Sequence, residues 1–487
     1  MRIYPFPEEY EKKSSDYKVW ADGKEVAVYS CDVSAFPLNR VWPGKQRDKS
    51  QTEQGYFVML GANTEIELEI EPPKAFDHVV VRPLSKGVTA DVADKKVKVK
   101  LPGYGQYSIE FGGMHDALLV FVNPEQEFGI DKTSNDVLYF GHGVHIIDER
   151  IQLKDNQTVF IDEGAVLYGS INAKGKKNIR VVGYGILDNS RMKRANEING
   201  CAILDPHAGA DTGNPIFFDD CENVVIDGIT IVNSSGWNIY LDGCRNIMVN
   251  NIKLMGQWRY NADGCDFCNC TNGIIQNSFL RTFDDCITVK GFKINNHMPI
   301  QNILAQNCVL WCDWGKCLEV GAETCAPHIS GITFRDCDVI HGNGNMMDIQ
   351  QGDGGDIENV RFQNIRLEYT GDEMWPVIQT EEEQDYPCFG KKSVPVLFSL
   401  IAGVTMWSID DYCGSMRDIY FKDIKITADE DIVFSGGIIK PDENYGTISN
   451  IYLENFTLNG KKLGFDRLGI TVDERVTDVF CDGERVK

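Results

Sequence analysis

Three stretches, CENVVIDGITIVN (Cys221–Asn233), CRNIMVNNIKLMG (Cys244–Gly256) and CTNGIIQNSFLRT (Cys270–Thr282), carry one pattern. A turn leads to an Asn, then to two short apolar runs joined at an Asn, Asp or Gly. The pattern continues as IQNILAQNCVLWC from Ile300, ISGITFRDCDVIH from Ile329, IENVRFQNIRLEY from Ile357, MRDIYFKDIKITA from Met416 and ISNIYLENFTLNG from Ile448, and KKNIRVVGYGILD precedes it from Lys176. Taking the Asn or its equivalent as marker gives positions 178, 223, 246, 272, 302, 331, 359, 418 and 450, with spacings of 23, 26, 30, 29 and 28 between 223 and 359. Each unit is too small to bury its own apolar face, so neighbours must stack to form one core. Strand-sized alternation without helical periodicity excludes helical solenoids. The expected fold is all-β: a right-handed parallel β-helix of about ten coils over residues 136–487.

Residues 1–135 read differently. YFVMLG, EIELEI, HVVVRPL and ALLVFV alternate between Pro, Gly and Lys-rich turns, which predicts an antiparallel β-sandwich. An insertion at about 370–415 separates two repeats and is expected to roof one side of the helix.

The 487-residue chain has 72 acidic and 48 basic residues and a net charge of −24, which disfavours nucleic acid and anionic membranes as partners. No apolar run is long enough to span a bilayer as a helix. The N-terminal sequence lacks the apolar core of a signal peptide, and the 16 Cys read as reduced, buried thiols, so a cytoplasmic location is expected. Cys265, Cys268 and Cys270 lack matching His or Cys partners at finger spacing, so neither metal nor cofactor is expected.

Stacked coils bring residues at equal offset from the marker onto adjacent rungs. Asp263 in NADGCD, Asp284 and Asp285 in RTFDDCITVKG, Lys316 and Glu319 in WGKCLEVGAE, and Asp348 and Gln350 in NMMDIQQGDGG fall on four successive coils. Like charges at rung spacing raise one another's pKa, so such a strip is costly unless it serves chemistry. Glycoside hydrolysis needs such a set: one protonated carboxyl and one ionised one. Taken singly, Asp263 and Asp266 could be turn caps and Asp284–Asp285 a solvated bend.

NADG followed by DDCITVKG resembles the polygalacturonase-type glycoside hydrolases, family 28, whose signature reads Asn-Thr-Asp-Gly, Asp-Asp-Cys, Gly-His-Gly and Arg-Ile-Lys. The separation of Asp263 from Asp284 and Asp285, 21 and 22 residues, matches it. The layout, with GYGILD following EGAVLYGSI, is also similar to the related dextranase and isopullulanase family 49. The resemblance implies an inverting hydrolase in which Asp285 is the general acid and Asp263 and Asp284 activate water. Two motifs depart: Gly315-Lys316-Cys317 replaces Gly-His-Gly, and Asp348-Ile349-Gln350 replaces Arg-Ile-Lys. The missing cations would bind a uronate carboxylate. Lys316, Glu319, Asp348 and Gln350 are therefore expected to meet neutral sugar hydroxyls, with Trp314 as a stacking face; Trp311, Trp375 and Trp407 are weaker candidates. Lys316 either sets the charge state of Asp285 or pairs with Glu319.

The expected activity is exo-hydrolysis of imported oligosaccharides, neutral rather than uronic. The insertion and the loop from Asn189 to Pro215 would close the groove into a pocket, and self-association could close it further. The competing readings are a polysaccharide lyase or epimerase on the same fold, calcium-dependent in the lyase case, and a non-catalytic carbohydrate-binding β-helix.

Overall fold

The computed structural model describes all residues except 36–38, 42–48, 94, 193–212, 293–294, 296, 370–376, 380–395, 430–434 and 444–445. From Val137 onward the chain winds into a parallel β-helix. One of its faces is a thirteen-stranded sheet, parallel throughout except for a last strand that turns back antiparallel. On the two remaining faces each strand pairs with its counterpart one coil on. Thr230–Val232 thus pairs with Lys253–Met255, and Ile239–Asp242 pairs with Cys265–Cys268.

The repeat marker has a conformational cause. Asn178, Asn223, Asn246, Asn272, Asn302, Gly331, Asn359, Asp418 and Asn450 all have φ between 53° and 67°, the left-handed region that Gly, Asn and Asp enter at least cost. Each stands opposite the next across the sheet, one residue from paired positions such as Ile247 with Gly273. Their amides also link the coils: Asn223 Nδ2 donates to Asn178 Oδ1 at 2.8 Å, and Asn246 Nδ2 donates to Asn223 Oδ1 at 3.1 Å. The ladder runs one rung further at each end than the sequence pattern, from Asn156 (φ 64°) to Asp478 (φ 58°). Gly331 interrupts the side-chain chain of bonds, and a Cβ there would stand 3.1 Å from Asn302 Oδ1.

Inward residues of every coil form one continuous core of Val, Ile, Leu and Phe with buried thiols such as Cys221, Cys244 and Cys270. All described cysteines are free and buried. Cys265 and Cys270 face this core, whereas Cys268 lies in a separate cluster with Tyr240 and Phe292, so the three thiols do not converge.

The N-terminal strands, from Arg2–Ile3 to Ala117–Asn123, form ten-stranded antiparallel pairings around their own apolar core, with one parallel pair, Leu118 opposite Tyr56. The two layers expected of a sandwich are thus hydrogen-bonded into one sheet. Its outer face packs on the β-helix: Tyr10, Tyr29, Phe57 and Phe121 meet Val232, Met255, Phe279 and Trp311. Arg82 crosses this interface, 2.9 Å from Glu110 and 2.5 Å from Glu368, and His341 lies 2.8 Å from Glu110. One face of the helix is therefore occupied by the N-terminal sheet, and the candidate residues lie on the face that includes Ile239–Asp242.

Of the insertion, Val377–Gln379 pairs in parallel with Asn39–Val41 from the N-terminal region, in a two-stranded sheet of their own. The chain after Val396–Ala402 is pinned to the helix by Asp353, whose Oδ1 accepts the Ile409 and Asp410 N–H groups at 2.6 and 2.7 Å. Trp375 and most of the loop between Asn189 and Pro215 lie outside the described residues.

A substitution tests the corner geometry. Asn246→Ala should lower stability by about 1–2 kcal/mol, the left-handed cost of a residue with a Cβ and no local hydrogen bond. Asn246→Gly should cost only a few tenths of that scale. Urea unfolding midpoints of the two variants and the wild type decide it.

Candidate active site

The chemical face is built by alternation. Cys265, Ile287, Leu318 and Met347 stand opposite one another on successive strands and point into the core. The next residues, Asp266, Thr288, Glu319 and Asp348, form an outward column that Ser399 extends. Two residues before each paired core position stand Asp263, Asp285, Lys316 and Asn345, which make a second outward column. Lys290, opposite Cys268, and Gln350, opposite Gly321, lie on a third line nearer the strand ends. The single strip expected from sequence offsets is thus three columns, with Asp263 and Asp285 aligned and Asp348 beside them rather than behind them.

Outward here does not mean solvated. Asp263, Asp266, Asp285, Glu319 and Asp348 are all at most 5% exposed. Asp284 and Lys316 are half-buried. Close approach requires glycine at two positions: a Cβ at Gly264 would lie 2.3 Å from the Cys286 carbonyl oxygen, and one at Gly315 would lie 2.5 Å from Asp285 Oδ1. Gly315 thereby lets the Lys316 N–H donate to Asp285 Oδ1 at 2.8 Å.

Two ammonium groups organise the carboxyls. Lys316 Nζ lies 3.0 Å from Glu319 Oε1 and 3.7 Å from Asp285 Oδ1, so it does both jobs left open by the sequence. Lys290 Nζ lies 2.7 Å from Asp263 Oδ2, 3.3 Å from Asp266 Oδ1 and 3.7 Å from Asp285 Oδ2. Thr288 Oγ1 donates to Asp266 Oδ1 at 2.7 Å. Asn345 Nδ2 donates to Asp348 Oδ1 and to Ser399 Oγ, both at 2.8 Å. Asn261 N–H donates to Asp284 Oδ2 at a longer 3.3 Å.

Two lysines cannot neutralise Asp263, Asp266, Asp284, Asp285, Glu319, Glu323 and Asp348 together in a dry environment, so protons must remain on some of them. Burial pushes Glu319 well above the carboxylate range, with the adjacent Asp285 charge adding to it. Burial raises Glu323 too, and raises Asp263 against the pull of Lys290. It lifts Asp266, Asp284 and Asp348 to about 6, in Asp284 with further help from Asp285. Asp285 alone of the seven goes down. Burial opposes its charge, but Lys316 and Lys290, with a bond from Glu319 and the Lys316 N–H, bring it to about 2. Both ammonium groups stay charged because the surrounding carboxylates outweigh their burial. Below about pH 6 these shifts favour the proton on Asp284 and the charge on Asp285.

Aromatic residues flank the strip on two sides. Trp314 stacks on Phe283 at 5.3 Å and meets Tyr260 edge-on at 5.9 Å, next to Asp284 in the chain. On the other side Trp237, Phe217, Phe292 and Ile409 gather around Tyr240 and Cys268. Trp311 is not in the groove: it is fully buried under the N-terminal sheet with the Arg281 guanidinium 3.9 Å above its ring. Trp407 sits in the segment pinned by Asp353, its N–H donating to Thr405 Oγ1 at 3.1 Å. Sequence reasoning passed over Lys290, Thr288, Asn345 and Ser399, and considered Asp266 only as an alternative turn cap. The usable signal for Asp266, Thr288, Lys290 and Ser399 was strict alternation, which turns them to the same side as Glu319 and Asp348, and for Asn345 the offset it shares with Asp263 and Asp285. Among the described residues no group of three His, Cys, Asp or Glu is arranged to hold a metal ion.

The molecule is thus a parallel β-helix with a buried cluster of carboxyls flanked by aromatic residues. The chain belongs to the glycosyl hydrolases family 28, whose model matches residues 141–457. It is 28% identical over 222 residues to "Probable endopolygalacturonase D" of Neosartorya fischeri, a match covering 42% of each chain. It is 29% identical over 248 residues to "Probable exopolygalacturonase X" of Aspergillus fumigatus, covering 45% of this chain and 49% of that one. The chain thus spans less than half the length of these relatives. In fold it is similar to Dex49A from Penicillium minioluteum, with a TM-score of 0.71 at 14% identity, covering 99% of this chain and 96% of that one.

The electrostatics make a stability prediction. The Asp348 carboxyl ionises near 3.9 in an unfolded chain and at about 6 in the folded protein, so the folded state holds the proton more tightly. Folding is then favoured below about pH 4, and that advantage is lost as pH rises through about 6. Asp348→Asn removes the penalty while keeping an acceptor for Asn345. The variant should be more stable than wild type at pH 8, on the order of 2 kcal/mol, with the advantage vanishing below about pH 4. Urea unfolding at the two pH values measures this.

Proposed function

We propose that this protein is an inverting glycoside hydrolase acting on neutral oligosaccharides, with Asp284 as general acid and Asp285 as the ionised base. The observation that carries this reading is the split between two adjacent carboxyls. Asp284 is half-buried and holds its proton up to about 6, while Asp285 is buried and clamped on both oxygens by Lys290 and Lys316. An acid–base pair of this kind matches what hydrolysis of a glycosidic bond demands. Asp284, the more accessible of the two, protonates the leaving oxygen. Asp285 accepts the proton of the attacking water, and Asp263, aligned with it one rung away, helps to hold that water.

The neutral substrate rests on the next two rungs. Asp348, bonded to Asn345, and the half-buried Gln350 stand where a uronate carboxylate would need cations. The nearby cation, Lys316, is already engaged by Asp285 and Glu319. Carboxyl and amide groups there accept and donate to sugar hydroxyls, and Trp314 offers a face for the ring. That two relatives are described as polygalacturonases keeps galacturonides as the alternative substrate. The endo- and exo- names among these relatives support either mode of attack. Exo-action is our reading, from the pinned segment at Ile409, which packs beside Trp237. Free thiols throughout the described chain support a reducing, cytoplasmic setting.

A screen of neutral and uronic oligosaccharides, with reaction products followed by NMR, tests the proposal. A neutral substrate should be cleaved with inversion at the anomeric carbon, and galacturonides should be cleaved far more slowly. Asp284→Asn and Asp285→Asn should each lower kcat by about a thousandfold or more while leaving the fold intact. In the wild type kcat/KM should fall as pH rises through about 6, where Asp284 loses its proton. Preferred cleavage of galacturonides would overturn the substrate reading and leave the acid–base reading standing.

A further inference from the structure

We propose that Lys290 is a positioning residue of the hydrolytic centre, one buried ammonium that fixes Asp263 and Asp285 relative to each other and so defines where the attacking water sits. This inference rests on the glycosidase reading above.

Its basis is geometric. Lys290 lies on the strand Ile287–Gly291, five residues after Asp285, and alternation turns it outward with Thr288. It is 4% exposed, and the Trp237 ring lies 4.3 Å from its Nζ. An ammonium buried to this degree is retained only if its partners satisfy it. They come from three coils. Asp263 and Asp266 flank it from the coil before, at 2.7 and 3.3 Å, and Asp285 approaches from its own coil at 3.7 Å. Glu323, on the following coil, adds its attraction. Lys316 is the other cation near this set, and it engages the opposite oxygen of Asp285 from the far side. The two lysines therefore hold Asp285 between them, each on one oxygen, and Lys290 alone reaches across to Asp263.

A group that merely plugs the core would not need to join the two carboxyls that face one water. Without the ammonium, Asp263, Asp266 and Asp285 would face one another across adjacent rungs, and mutual repulsion would be relieved by protonation or by rotation of a side chain. Either event removes the base or moves it, and misplacement by about an ångström can cost a hundredfold in rate. Trp237 keeps the ammonium in place and excludes water from its open side.

Lys290→Met and Lys290→Arg separate this role from a structural one. Both are purified as full-length protein and checked for folding by circular dichroism. Each is then titrated potentiometrically between pH 4 and 8 in roughly the range where shifted carboxyls ionise. Their kcat and KM are measured against pH on the oligosaccharide the wild type cleaves. We expect folded Lys290→Met to titrate about one additional carboxyl proton in this range. Its kcat should fall by about a hundredfold with KM changed by less than about threefold, and the acid limb of kcat/KM should move up by at least about one pH unit. Lys290→Arg keeps the charge but displaces its centre, so its acid limb should stay near that of the wild type while kcat falls. Folded Lys290→Met with a wild-type carboxyl titration and an unmoved acid limb would overturn the proposal, as would loss confined to KM. If Lys290→Met does not fold, Lys290→Arg decides: kcat equal to the wild type rejects positioning. If the wild type itself cleaves nothing in the screen, the glycosidase reading falls, and an unchanged titration in Lys290→Met would separately reject the hold on Asp263 and Asp285.

Discussion

The backbone register between successive coils decides which side chains share the site. Each coil repeats the hydrogen bonds of the one before, and the left-handed corner residues, Asn223 to Asn246 to Asn272, keep equivalent positions opposite one another. A slip of one residue on any coil would send its outward set into the core. Register thus turns sequence offsets into distances: Asp263 and Asp285 are separated by 22 residues in the chain yet share one column and one lysine. The same register has a cost, because it stacks acidic residues at rung spacing and buries them.

The two lysines distribute that cost unevenly, and the uneven distribution is the functional content of the site. Asp285 receives two ammonium groups and a backbone N–H, and stays ionised. Asp284, its chain neighbour, has one long hydrogen bond and retains its proton. Adjacent identical residues thereby acquire opposite shifts from environment alone, on which the proposed division of roles rests. At Glu319, Glu323 and Asp348 burial outweighs the nearby lysines and raises the carboxyls instead.

Much of this was legible in the sequence. The nine marker residues, all of which take the corner conformation, fix the coil spacing because few residue types tolerate that conformation. Asp263, Asp284 and Asp285 stood out by motif, and Lys316, Glu319, Asp348 and Gln350 by offset. Other features needed coordinates. Lys290 and Asp266 read as ordinary outward polar residues, because a sequence does not show that Trp237, two coils' length away in the chain, covers them. The difference between Asp284 and Asp285 depends on which carboxyl the two lysines approach, which no spacing rule conveys. Trp311, a groove candidate by proximity, turns instead to the N-terminal sheet, whose docking face is set by Phe57, Phe121 and Met59 from a different part of the chain.

The central claim is the location of one proton, and neutron diffraction from a crystal of the deuterium-exchanged protein at about pH 5 reads it directly. Below the ionisation of Asp284 at about 6 and above that of Asp285 at about 2, the account predicts deuterium on the Asp284 carboxyl and none on Asp285, with Lys290 and Lys316 both fully deuterated ammonium groups. Deuterium on Asp285 with a bare Asp284 would contradict it.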